Sequence, residues 1–186
     1  MANGFTELLV ATNASAPRTL LESIRLVRNS SSGFCKSWLS QDIPEALATS
    51  EEAFGFLDHI QNELLRHRDR LHKSPNWQGS PLQVALQARV GDLVDPVNAA
   101  EKAAFQAQTE GNGSIPPGAT VKDLRLVDAL NKLKHRSPET VKFSVSTTGQ
   151  HTLLVLTLAG MGHPDTISSF DFDTFCNACK VAALAV

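Results

Sequence analysis

The chain has 186 residues, 17 Lys+Arg against 19 Asp+Glu for a net charge of −2, 42% hydrophobic residues and three cysteines. That balance excludes a strongly basic nucleic-acid coat and an acidic tail, and three cysteines are too few, and odd in number, for a disulfide-framework secreted domain. The length and apolar fraction suit a single domain with its own core, spanning residues 1–186.

The elements can be read in chain order. Ser15 and Pro17 predict the cap and first turn of a helix over about 16–28, with Leu20, Ile24 and Val27 on one face. The run Asn29-Ser30-Ser31-Ser32-Gly33 reads as a turn, and Phe34, Trp38 and Leu39 as a short amphipathic turn after it. Thr49-Ser50-Glu51-Glu52 is a capping-box pattern that predicts a long helix to about His72, stopped by Ser74-Pro75. Ser80-Pro81-Leu82-Gln83 predicts another helix, running to about Val94, with a break at Asp95-Pro96 and an alanine-rich continuation to about Gln108.

Residues 109–119 form a Gly/Pro-rich loop within the domain. Thr120 predicts the cap of a helix over about 121–135, with Leu126, Leu130 and Leu133 on its inner face and Ser137-Pro138 as its stop. Beyond it the apolar period changes to two. Val141, Phe143 and Val145 alternate with polar residues, Thr148-Gly149 supplies a turn, and Thr152 to Leu158 returns as a second strand. Asp171 and Asp173 open a last helix whose inner face is Phe172, Phe175 or Cys176, Cys179 and Ala183. The expected fold is therefore mostly α: an irregular helical bundle with a C-terminal β-hairpin packed on it.

No segment has the pattern of a secretion signal or a spanning helix, so a cytoplasmic protein with no membrane association is expected. Cys176-Asn177-Ala178-Cys179 is a C-x-x-C within the last helix's apolar stripe. It lacks the further ligands of a closed zinc site and reads as core packing, so no metal and no cofactor is expected. His59, His151 and His163 have no partner at ligand spacing and read as surface or internally satisfied histidines. The glycines form neither a dinucleotide fingerprint nor a phosphate loop.

Two basic segments remain. Asn131-Lys132-Leu133-Lys134-His135-Arg136 ends the predicted 121–135 helix, where cations suit the exposed carbonyls. It resembles the core motif of HEPN domains, small helical bundles of bacterial defence and toxin–antitoxin systems. Their signature is an arginine, often followed by asparagine, with a histidine four to six residues beyond. Asn131 and His135 match, whereas the arginine position is Leu130. The resemblance implies a homodimeric module that binds RNA or a cognate protein. In its active form it implies metal-independent RNA cleavage, with His135 as general acid or base, Asn131 beside it and Arg136 holding phosphate in place of the missing arginine. Lys132 and Lys134 would add binding charge.

Arg66-His67-Arg68-Asp69-Arg70-Leu71-His72 also contains the spacing. With nine arginines and six histidines in the chain, about one such match arises by accident. Arg66, Arg68 and His72 are accordingly read as a phosphate-binding patch at a helix end. The alternative to both readings is a non-enzymatic structural or protein-interaction domain, whose basic helix ends are only caps.

Overall fold

The computed structural model describes residues 19–160 and 162–186. Among them are six α-helices and a five-stranded antiparallel sheet of order β2-β1-β5-β4-β3. The mostly helical bundle with a lone hairpin is thereby corrected: the fold is α+β.

Helix α1 spans Leu20–Leu39 and is capped by Thr19, whose hydroxyl accepts from the Glu22 amide at 3.2 Å. The predicted Ser15 cap and Pro17 lie outside the described residues. The helix runs straight through the serine-rich stretch that the sequence marks as a turn. Those serines find tertiary or helical partners instead of forming one. Ser30 donates to Glu52 at 2.9 Å, Ser31 shares a hydrogen bond with His151, and Ser32 donates back to the Arg28 carbonyl at 3.1 Å. A side chain on Gly33 would stand 3.3 Å from the Thr49 methyl, so the small residues also let the next helix approach.

That helix, α2 (Ile43–Leu71), begins earlier than the Thr49 capping pattern predicts. Asp42 is the cap, and the Thr49 hydroxyl bonds the Glu45 carbonyl at 2.8 Å inside the helix. The end at His72 is as predicted.

Helix α3 (Pro81–Leu86) starts at the expected Ser80 cap but stops at Leu86. The rest of the predicted helix is strand β1 (Arg89–Val94). Helix α4 (Ala99–Gln106) opens on a capping box of Asn98 and Glu101. The predicted 121–135 helix divides into strand β2 (Val121–Arg125) and helix α5 (Leu126–Lys134). A 3₁₀ turn at Pro138–Thr140 leads into β3 (Val141–Val145) and β4 (His151–Thr157), the expected hairpin. Strand β5 (Thr166–Asp171) was not anticipated. Helix α6 (Phe172–Ala183) follows at once, with Asp171 accepting from the Thr174 amide at 2.8 Å.

Both faces of the sheet are covered. Leu153, Val155 and Phe170 join the main core with α1, α2, α5 and α6. Leu154, Leu156 and Ile167 project the other way and pack with Val94 under Phe105 of α4. This is why β4 carries apolar residues on both sides, as strands buried on two faces do. Cys35, Cys176 and Cys179 are free and buried. Burial pushes the Cys35 thiol up to about 11, with Asp173 adding to it, and the Cys176 thiol up to about 12. No group of acidic, histidine or cysteine side chains among the described residues could hold a metal ion, and none of their helices is long and apolar enough to cross a membrane.

Candidate functional site

The inner face of the β3–β4 hairpin does not seal fully against α1 and α2. A cavity of about 630 Å³ remains between them, lined also by residues at the end of α5 and the start of α6. This is within the roughly 300–1,000 Å³ of small-molecule pockets. Its walls are apolar: Phe34, Phe54, Phe143 and Phe172, with Leu57 and Leu153 between them.

His151 is the polar group set among these rings. The hairpin turn places it opposite Val145 at the first position of β4. Its Nδ1 lies 2.8 Å from the Ser31 hydroxyl of α1. Its two faces are stacked by Phe34 and Phe172, each with ring centroids 5.0 Å away, at interplanar angles of 30° and 13°. Phe143 meets it edge-on at 6.4 Å. Burial drives the imidazole pKa down to about 4, against the pull of Asp171, because charging the ring here means desolvating a cation. His151 is therefore neutral at pH 7, with one ring nitrogen a donor and the other an acceptor. The hydrogen bond this ring makes among the described residues is at Nδ1, which leaves Nε2 available.

The second polar group comes from the end of α5. The Arg136 guanidinium is held three ways. It pairs with Asp58 at 2.8 Å, donates to the Leu133 carbonyl at 2.7 Å, and lies 4.7 Å above the Phe54 ring. Its side chain is 16% exposed, against 52% for Asp58, and Lys134 beside it is exposed. The charged residues thus mark the open side of the cavity. Two cations and one carboxylate leave the mouth with an excess positive charge.

The structure brings together only part of the sequence-derived site. Lys134 and Arg136 line the cavity. His135, the C-cap of α5, is exposed and is not among the cavity-lining residues, and its amide donates to the Lys132 carbonyl at 3.1 Å. Asn131 and Lys132 are half-buried on α5. Burial lowers the Lys132 pKa, and Asp95 and Asp128 oppose the shift. Leu130, where the resemblance asks for arginine, is fully buried in the core. The second basic segment lies elsewhere. Arg66 pairs with Glu63, Arg68 pairs with Asp69 at 2.7 Å, and the His72 ring lies 5.7 Å from Trp77. His72 is about 21 Å along α2 from Asp58, at 1.5 Å per residue, so the two segments do not form one patch.

Sequence patterns do not mark Ser31 and His151 as site residues. They are 120 residues apart, and nothing in either local sequence pairs them. Comparison with family models, with curated proteins and with solved structures finds no match.

Proposed function

We propose that this protein is a small-molecule-binding module whose ligand is an apolar, ring-bearing anion. The observation that carries this reading is the aromatic-walled cavity with a guanidinium fixed at its mouth. The apolar wall supplies burial energy, at about 25 cal/mol per Å². Arg136 is oriented before the ligand arrives, so little side-chain freedom is lost on binding. The neutral, hydrogen-bonded imidazole argues for recognition over nucleophilic catalysis, because a base of such low pKa is a poor proton acceptor at pH 7.

Anilinonaphthalene sulfonate, an aromatic anion that fluoresces on entering apolar sites, tests this directly. The native protein is expected to bind it with saturable, one-site behaviour. Arg136→Met is expected to weaken binding roughly tenfold, the lower range for a charge-assisted contact. Trp38 stands edge-on to Phe143 at 4.8 Å and gives a second readout in a Trp77→Phe background. Absence of saturable binding to the folded protein removes the reading.

One observation favours a second reading, the HEPN-like one. His135 is exposed beside exposed Lys134, where a nucleic-acid backbone could reach both. On that reading a mixed RNA pool is cleaved without metal, or bound by a homodimer, and His135→Ala abolishes cleavage. Intact RNA together with no retention on the protein defeats it.

A further inference from the structure

This inference rests on the cavity being a ligand site and concerns what that ligand must be. His151 has few ways left to interact. Phe34 and Phe172 cover its two faces, and Ser31 occupies Nδ1. The ring edge carrying Nε2 is what remains for a partner. His151 lines the cavity, and no described residue hydrogen-bonds that nitrogen. A ligand group that hydrogen-bonds this nitrogen within an apolar cavity adds affinity and direction to binding. The groups at the mouth differ in kind, since Lys134 and Arg136 are full cations suited to an acidic group.

We infer that the ligand has two unlike ends: a ring hydroxyl that hydrogen-bonds His151 Nε2 inside the cavity, and a carboxylate that meets Arg136 and Lys134 at its mouth. The class is therefore an aromatic hydroxy acid. Ser31 is the positioning residue. By holding Nδ1 it fixes the ring orientation. A hydroxyl serves either tautomer, because it both donates and accepts. Selectivity follows from the same geometry. A site built to hydrogen-bond a hydroxyl rejects the analogue that lacks it far more strongly than an apolar pocket rejects a missing methylene.

The test is displacement of the bound fluorescent anion by matched pairs: benzoate against 4-hydroxybenzoate, and 2-naphthoate against 6-hydroxy-2-naphthoate. In the native protein at least one hydroxylated member should bind about tenfold tighter than its parent acid. His151→Phe should erase that preference, so that the two members of each pair displace the probe equally. Ser31→Ala should reduce the preference without abolishing binding, and it stands in if His151→Phe does not fold. If both members of every pair displace the probe equally from the native protein, this inference is overturned while the ligand site survives. If the fluorescent anion itself never binds, the parent reading fails first and the two failures are told apart.

Discussion

A Gly91→Ala variant is expected to lose at least about 3 kcal/mol of stability, the upper range for overpacking a filled interior. Gly91 lies in β1, opposite Phe170 of β5 and Leu124 of β2. A methyl group built on it would stand 2.0 Å from the Ser169 carbonyl oxygen and 2.8 Å from the Phe170 Cα. Both are backbone atoms, so no side-chain rotation relieves the clash, and β1 must move away from β5. That contact joins the β1–β2 half of the sheet to the β5–β4–β3 half, so its loss also disturbs Phe170 and the core behind it. Urea unfolding provides the measurement, with Gly55→Ala as the control of opposite sign. Gly55 is exposed within α2, with open space where its Cβ would be. Alanine there should stabilise by about 0.5–1 kcal/mol, by propensity alone. A Gly91→Ala protein as stable as the native one would mean that β1 and β5 do not approach as described.

The second large effect is on pH. The folded protein holds His151 neutral down to about pH 4, whereas the unfolded chain protonates it near 6.5. Between those values the unfolded state binds more protons, so stability rises with pH through this window and is lost as pH falls. The stabilisation is fully present above about pH 6.5, and its loss by pH 4 amounts to about 3 kcal/mol. Asp171 is the charged group that pulls the other way, and it is already included in the net direction. Its own carboxyl lies below the usual range. Burial works against this, but hydrogen bonds from the Thr174 amide and hydroxyl and from Gln150 outweigh it. It therefore adds acid sensitivity below about pH 4 in any variant that retains it.

Urea midpoints at pH 7, 5.5 and 4.5 should fall steeply for the native protein and far less for His151→Gln, which keeps a hydrogen-bonding group near Ser31 and has no proton to gain. Parallel curves for the two proteins would place His151 in contact with water and remove its role as a neutral anchor. The ligand reading adds a corollary: an occupied Nε2 resists protonation further, so bound ligand should raise the midpoints while steepening their fall toward pH 4.

The contrast between these elements shows where the sequence is legible. The Ser80 cap, the Asp171 cap, the β3–β4 hairpin and the Cys176–Cys179 apolar stripe rest on neighbours within a few residues, and local physics is enough to read them. Other segments carry two compatible patterns. Val90, Leu93 and Val94 fall at helical spacing, yet Arg89–Val94 is a strand because β2 and β5 supply its hydrogen bonds. Val121 and Leu124 likewise suit the first turn of a helix, yet Val121–Arg125 is a strand because β1 supplies its hydrogen bonds. Conversely, Ser30, Ser31 and Gly33 favour a turn in isolation, but packing against α2 and β4 keeps them helical.

The site divides in the same way. Lys134 and Arg136 were legible as a basic helix end, because charge at a helix C-terminus is a local signal. That Arg136 is clamped by Asp58 and Phe54, and that Ser31 meets His151 inside a ring of phenylalanines, is decided by contacts between distant parts of the chain. The sequence by itself determined which segments could bury an apolar face and where α3, α6 and the hairpin begin. Only the tertiary structure decided which strands pair, because a strand's hydrogen bonds are completed by another segment, and only it created the cavity, because an unfilled space belongs to no single stretch of residues.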